Sequence, residues 1–254
     1  MEKKGGKYLK RRYKIVLWLV GVFILGYLIQ LPIKNQLSLN VGSSFSLPLS
    51  GKTIVIDPGH GGPDGGAVGK DDTQEKDISL EVSKKLQKYL QQVGAIVYLT
   101  RETDRDLASE NVKGLSKRKS EDIRNRLSFI NEQEADLFIS LHLNALPSTK
   151  WRGAQTFYNP QKDENKHLAE MIQAEFIRNL ENTNRAALAI NNVYLLKYAE
   201  TPGALVEIGF LSNVEERELL KDTDYQQKVA ASIYKGILRY ATEEIKAEEG
   251  EDEL

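Results

Sequence analysis

The sequence predicts an α/β fold: a single domain with a mostly parallel twisted sheet flanked by helices, preceded by an N-terminal transmembrane helix. Three observations predict it. From Lys52 to about Thr242, short apolar runs alternate with stretches whose apolar residues recur at helical spacing, the pattern of a sheet layered with crossover helices. Polar, glycine- or proline-bearing segments punctuate those runs, as they do at strand ends. Ahead of them, Ile15–Ile33 forms an uncharged stretch of 19 residues, which at about 1.5 Å per residue nearly spans a hydrocarbon core of roughly 30 Å.

The N-terminal region comes first. Lys3, Lys4, Lys7, Lys10, Arg11, Arg12 and Lys14 outweigh Glu2 in residues 1–14. By the positive-inside rule this basic segment stays in the cytoplasm and the rest is exported. Ala67 is the first alanine, so an A-x-A cleavage site is impossible before it. Weaker small-residue sites near Gly42, Ser43 and Ser44 make a cleaved signal the lesser alternative to an uncleaved anchor over 15–33. Residues 34–51 read as a polar tether. The expected location is the outer face of the cytoplasmic membrane, with membrane contact through the helix.

The domain over 52–242 follows. Thr53–Asp57 is a buried strand stopped by Pro58-Gly59. Lys76–Val93 is a helix with one apolar face (Ile78, Val82, Leu86, Leu90) ended by Gly94. Ala95–Thr100 is a strand and 101–120 a charged loop. Glu121–Gln133 is helical through Ile123, Leu127 and Ile130. Strands are expected at Asp136–Leu141, Ala154–Tyr158, Val193–Leu196 and Ala204–Ile208. Helices are expected at Asn165–Leu180 and Tyr225–Thr242. Residues 243–254 form an acidic tail, read as a solvated end because like charges repel.

Composition narrows the chemistry. The chain has no cysteine and 3 histidines, which excludes disulfides, thiolate zinc, iron–sulfur clusters and a cysteine nucleophile. The formal charge is −1, and it is nearly balanced in the domain once the basic head and acidic tail are set aside. A nucleic-acid partner is not expected from such a domain.

In open α/β sheets the site lies beyond the carboxyl ends of the strands. His60 follows the first strand in a glycine-rich turn, and His142 closes the strand 136–141. Glu75 opens the helix 76–93, and Glu207 interrupts the apolar run 204–210. Each has a plain structural reading: a loop histidine, a core histidine, a carboxylate complementing a helix dipole, and a salt bridge from Glu207 to Arg101 or Arg126. Together they have a chemical one. Two imidazoles and a carboxylate leave a catalytic zinc one open position. A second, non-ligating carboxylate in an apolar setting has the raised pKa a general base needs. Asn144 and Arg126 are read as orienting loops, and Asp57 and Asp64 as shaping the loop or supporting the ligands. His167, on a charged helix start, is read as a surface residue.

These stretches also resemble a known family. Residues 56–67 (IDPGHGGPDGGA) with Glu75-Lys76, then Arg126, Asn131, Ala135-Asp136 and Ser140–Ala145 (SLHLNA), then Val206–Asn213 (VEIGFLSN) are similar, in order, to the motifs of the zinc-dependent N-acetylmuramoyl-L-alanine amidases (amidase 3). The likeness covers about 52–242. It implies that His60, Glu75 and His142 ligate Zn2+ and that Glu207 is catalytic. The implied reaction is hydrolysis of the amide between the lactyl group of N-acetylmuramic acid and L-alanine in peptidoglycan. The uncharged run, the tether ending SLPLSG, the basic segment 113–119 and residues 230–240 resemble the germination-specific branch. That branch implies spore cortex as substrate, muramic-lactam formation, a lipoprotein activator, and a muramic-acid deacetylase in the same pathway. Leu141 and Leu143 depart from many relatives without touching a ligand position. The alternatives are a zinc peptidase cutting stem peptides and a membrane-tethered metal-binding scaffold without activity.

Overall fold

Six strands form one sheet in the order β2-β1-β3-β6-β4-β5. In the computed structural model these are β1 (Thr53–Pro58), β2 (Ile96–Leu99), β3 (Leu137–Asn144), β4 (Gln155–Tyr158), β5 (Leu188–Ala189) and β6 (Gly203–Phe210). The helices are α1 (Glu75–Gln92), α2 (Leu115–Glu132), α3 (Asp163–Leu180), α4 (Tyr194–Tyr198), α5 (Val214–Lys221) and α6 (Thr223–Thr242). Strands β2, β1, β3 and β6 are mutually parallel. Strand β4 runs antiparallel to β6, and β5 follows β4. The sheet is therefore parallel in its main part and mixed at one side.

The structure describes residues 13, 14, 16–25, 27 and 47–245. The chain divides after Ser46 into two units. In the first, the described residues are helical and exposed, Trp18 and Phe23 among them. No helix among the described residues is long and apolar enough to cross a membrane, so the expected transmembrane helix is not supported there. Part of that run (Ile15, Gly26 and 28–33) lies outside the described residues. So do most of the basic segment 1–14, the tether up to 46 and the acidic tail from 246.

In the second unit, the helical period explains which faces are buried. Ile78, Val82, Leu86 and Leu90 of α1 lie one turn apart and pack on one side of the sheet with Ile54, Ile56, Ile139, Val206 and Ile208. Helices α3 and α6 cover the same side. Fully burying each such side chain contributes about 1.5–3 kcal/mol. The other side is held by a smaller cluster of Val55, Ile130, Phe138, Leu195, Leu196 and Leu205, with α2 and α4.

The first and last described parts of this unit meet at the amino ends of β1 and β3. There Lys52 pairs with Asp136 at 2.7 Å. A cavity of about 300 Å³ is lined by Leu49, Lys52, Asp136, His167, Tyr240 and Glu243 among others.

Several expectations need correction. Residues 194–196 are helical, the start of α4, rather than a strand, and Val193 is its extended N-cap. A four-residue apolar run carries no usable period, and Leu195 and Leu196 are buried as neighbours on a short helix. The loop expected to run to 120 ends earlier, because α2 begins at Leu115. Its first turns are almost wholly solvated and give no apolar signal. Helix α5 is unforeseen, although Asn213 accepts a bond from Glu216 N at 3.0 Å, the N-cap pattern that Asn-x-x-Glu announces. Strand β3 extends through His142 to Asn144, with a register shift between those two residues. His167 is not a surface residue: it is 6% exposed. Its Nε2 lies 3.0 Å from the Glu243 carbonyl and its ring 5.5 Å from that of Tyr240. Helix α3 is covered by both the sheet and α6, which buries a position that its charged neighbours mark as solvated.

Candidate metal centre and catalytic carboxylate

The parallel register brings the site together. Asp57 pairs with Ser140 across β1 and β3, and His142 pairs with Glu207 across β3 and β6. Register partners in a parallel ladder project to the same face, so Glu207 stands beside His142. The turn after β1 delivers His60, whose own backbone is left-handed at φ 62°. For a non-glycine residue that is a strained conformation, held only where the surroundings over-determine it.

The surroundings do so through two buried arginines. Arg126 Nη1 donates to Asp57 Oδ1 and to the Pro58 carbonyl, each at 2.7 Å, and its Nη2 donates to the His60 carbonyl. Arg126 Nε donates to Asp122 Oδ2, one turn earlier on α2, at 2.9 Å. Arg101 donates to the carbonyls of Pro58, Gly59, Lys76 and Thr103. Neither arginine pairs with Glu207. Burial works against the charge of Asp57. The Arg126 guanidinium, with bonds from Thr100 and Ser140, outweighs it and holds that carboxyl at about 2.

Glu75 is the hub. It is 2% exposed and is the first residue of α1. Its Oε1 accepts from Leu143 N at 2.8 Å and lies 2.9 Å from His142 Nδ1. Its Oε2 accepts from Ala67 N at 2.6 Å and lies 3.2 Å from His60 Nε2. Burial opposes its ionisation, but the bonds to His142 and His60 prevail and its carboxyl is held well below the usual range. Burial likewise opposes the imidazolium of His142, and Glu75 outweighs it, so the His142 pKa is raised.

Two glycines make room for this packing. A Cβ on Gly59 would sit 2.5 Å from His142 Cε1, and one on Gly66 (φ +71) 2.4 Å from Glu75 Oε2. Any side chain there collides with the cluster.

Among the described residues, His60, Glu75 and His142 form a group able to hold a metal ion, their donor atoms all within 4.8 Å of one another. Ligand atoms about 2.0–2.2 Å from one tetrahedral zinc stand about 3.3 Å apart. The observed separations of 3.2 Å from His60 to Oε2 and 2.9 Å from His142 to Oε1 of Glu75 are near that spacing, and two nitrogens with one oxygen are a donor set zinc accepts. Glu207 lies outside the group. Its Oε2 is buried with no hydrogen-bond partner. Burial pushes its carboxyl up to about 7, with the His142 charge opposing and the Glu75 charge adding to the rise. A buried acceptor left unpaired is costly, which marks Glu207 as poised for something outside the chain.

The four residues singled out in the sequence therefore converge, while His167 lies at the other end of the sheet. Lys119, which binds Asp64, and Asp122, which binds Arg126, are functional neighbours the sequence did not disclose. Both belong to α2, one in a stretch read as loop and the other on a helix judged only by its apolar residues.

Comparison with known proteins gives this geometry a family. A family model described as N-acetylmuramoyl-L-alanine amidase matches residues 54–239. The germination-specific N-acetylmuramoyl-L-alanine amidase of Bacillus subtilis is 53% identical over 235 residues, covering 92% of this chain and 98% of that protein. The amidase LytC of the same organism is 32% identical, and the match spans only 38% of its length. Among solved structures, the CwlD amidase of Clostridioides difficile in complex with the GerS lipoprotein superposes with a TM-score of 0.73 at 44% identity, covering 74% of this chain and 98% of that one. With the matched model spanning well over half its length, the chain belongs to the N-acetylmuramoyl-L-alanine amidase family.

Proposed function

We propose that this member of the family is a zinc-dependent amidase that hydrolyses the bond between the lactyl group of N-acetylmuramic acid and L-alanine in spore-cortex peptidoglycan. One observation carries the reading: a convergent His60–Glu75–His142 cluster stands beside Glu207, whose buried Oε2 has no hydrogen-bond partner among the described residues.

His60, Glu75 and His142 would hold the ion. Zinc bound there supplies a Lewis acid that polarises a carbonyl and lowers the pKa of water. The chain's own groups do the rest. Ala67 N and Leu143 N fix both oxygens of Glu75, so the ligand carboxylate does not reorganise. Glu207 accepts a proton from the attacking water at its unpaired carboxylate oxygen. It then returns that proton to the departing alanine nitrogen. A carboxyl near 7 exchanges a proton in both directions at neutral pH.

Product identification tests the reaction. With cortex or vegetative peptidoglycan, mass spectrometry should find free L-alanine amino termini and intact lactyl groups. Chelation should abolish the product and zinc should restore it. Cuts inside the stem peptide, with the lactyl amide intact, would instead establish a peptidase.

The pH dependence follows from Glu207. Its raised pKa means the protonated, inactive form persists below about 7, and a bound dication lowers that value. The kcat/KM profile should therefore fall on the acidic side, with a limb at or below about 7. Glu207→Gln should erase the limb, and an unchanged limb in that variant would assign it to another group.

The setting is proposed on the same footing. The uncharged run 15–33, flanked by the basic segment 1–14, supports an anchor on the outer face of the cytoplasmic or forespore membrane. The 53% identity to a germination-specific amidase supports the cortex role, and a muramic-acid deacetylase in the same pathway is proposed from the sequence resemblance alone. The CwlD–GerS complex supports a lipoprotein partner here. Tethering of this kind would supply substrate proximity.

A further inference from the structure

Asp64 has a defined place beside the cluster that the reaction above does not use. It lies in the loop between β1 and α1, and its side chain is 14% exposed. Its Oδ2 is 2.9 Å from His60 Nδ1. Its Oδ1 accepts from Gly66 N at 3.2 Å and pairs with Lys119 Nζ, on the first turns of α2, at 2.8 Å. Both carboxylate oxygens are thus engaged and the group cannot rotate freely. A lysine on one oxygen and an imidazole on the other favour its ionised form, which only accepts hydrogen bonds.

That arrangement favours one tautomer of His60. A carboxylate only accepts, so a neutral ring bonded to Asp64 donates from Nδ1 and keeps its lone pair on Nε2. Nε2 faces Glu75 Oε2 at 3.2 Å, and that oxygen already accepts from Ala67 N. A pair at this distance needs a proton or a cation to bridge it, and when the Nδ1 proton is committed to Asp64 a cation can take that place. The left-handed backbone of His60, tied down by Arg126, sets where the ring begins. Asp64 sets how it turns.

We propose that Asp64 is a positioning residue of the metal centre: it accepts a hydrogen bond from His60 Nδ1–H and so fixes the tautomer and ring orientation that aim Nε2 at the ion, with Lys119 steadying it from α2. This rests on the metal reading above. Partners of this kind change metal affinity by about 10–100-fold when removed. The Lys119 bond is a restraint rather than a source of stability, because the lysine is 48% exposed and exposed pairs are weak.

The test is zinc affinity of the purified full chain, measured by competition with a chromophoric chelator, beside circular dichroism as a check on folding. Asp64→Ala should weaken zinc binding about 10–100-fold with the fold retained. Asp64→Asn keeps an acceptor for the Nδ1 proton and should recover part of the loss, and Lys119→Ala should lose less than Asp64→Ala. At saturating zinc, kcat of Asp64→Ala should return most of the way to wild type, which general loosening of the loop would prevent. Zinc affinity of Asp64→Ala within twofold of wild type would overturn the proposal while leaving the metal centre standing. So would a Lys119→Ala loss equal to that of Asp64→Ala. A wild-type chain that binds no zinc would remove the metal reading and this inference together.

Discussion

Replacing Glu207 with glutamine is expected to lower the rate of amide hydrolysis about 10²–10⁴-fold, the range for loss of a general acid–base, while the protein keeps its fold and its zinc. The substitution is nearly isosteric. It also removes the burial-opposed charge of Glu207, so stability should hold or rise. The zinc content should survive because Glu207 is no member of the His60–Glu75–His142 group. The discriminating measurement is turnover on a defined muramyl peptide together with metal analysis of the same sample. A variant that retains zinc and hydrolyses within tenfold of wild type would defeat the assignment of the base. One that loses zinc would make Glu207 a ligand instead.

The second large effect is on stability. Asp57→Ala should destabilise the domain by about 3–5 kcal/mol, the cost of stranding a buried charge. That corresponds to a fall in Tm of roughly 6–20 °C for a domain of this size. The stranded group is Arg126, 2% exposed, which would keep Asp122 and the Pro58 and His60 carbonyls but lose its most buried partner. Thr100 and Ser140, which donate to Asp57 at 2.7 Å each, would lose an acceptor as well. Urea unfolding measures the difference, and a loss below 1 kcal/mol would show that the pair contributes little. The same group predicts acid sensitivity. The folded pKa of Asp57 is depressed to about 2 from 3.8, so its contribution of about 2 kcal/mol is complete above pH 4 and is lost as pH falls towards 2. Asp57→Ala should flatten that part of the stability curve.

The sequence disclosed the central strands and long helices because their burial has a period. Helix α1 shows Ile78, Val82, Leu86 and Leu90 at successive turns, and the central strands are continuous apolar runs between polar stops. It disclosed the site for the opposite reason: Glu207 breaks an apolar run and His60 follows Pro-Gly, both local exceptions. What it hid depended on contacts between distant segments. The buried face of α2 carries Asp122 and Arg126 beside Ile130, charges that look solvated until Asp57 and the Pro58 and His60 carbonyls are placed against them. His167 looks like a surface residue until α6 covers it. The Asp64–Lys119 pair joins residues 55 positions apart, which no local pattern encodes.

The meeting of the domain's two ends gives it a direction. Chain entry at Leu47–Lys52 and the stretch around Glu243 lie together at the amino ends of β1 and β3. The His60–His142 cluster lies past their carboxyl ends. Strand β1 has 6 residues, so about 20 Å of sheet separates the two at about 3.3 Å per residue. The described domain therefore carries its His60–His142 cluster at the end of the sheet opposite to the one where Leu49 and Glu243 meet.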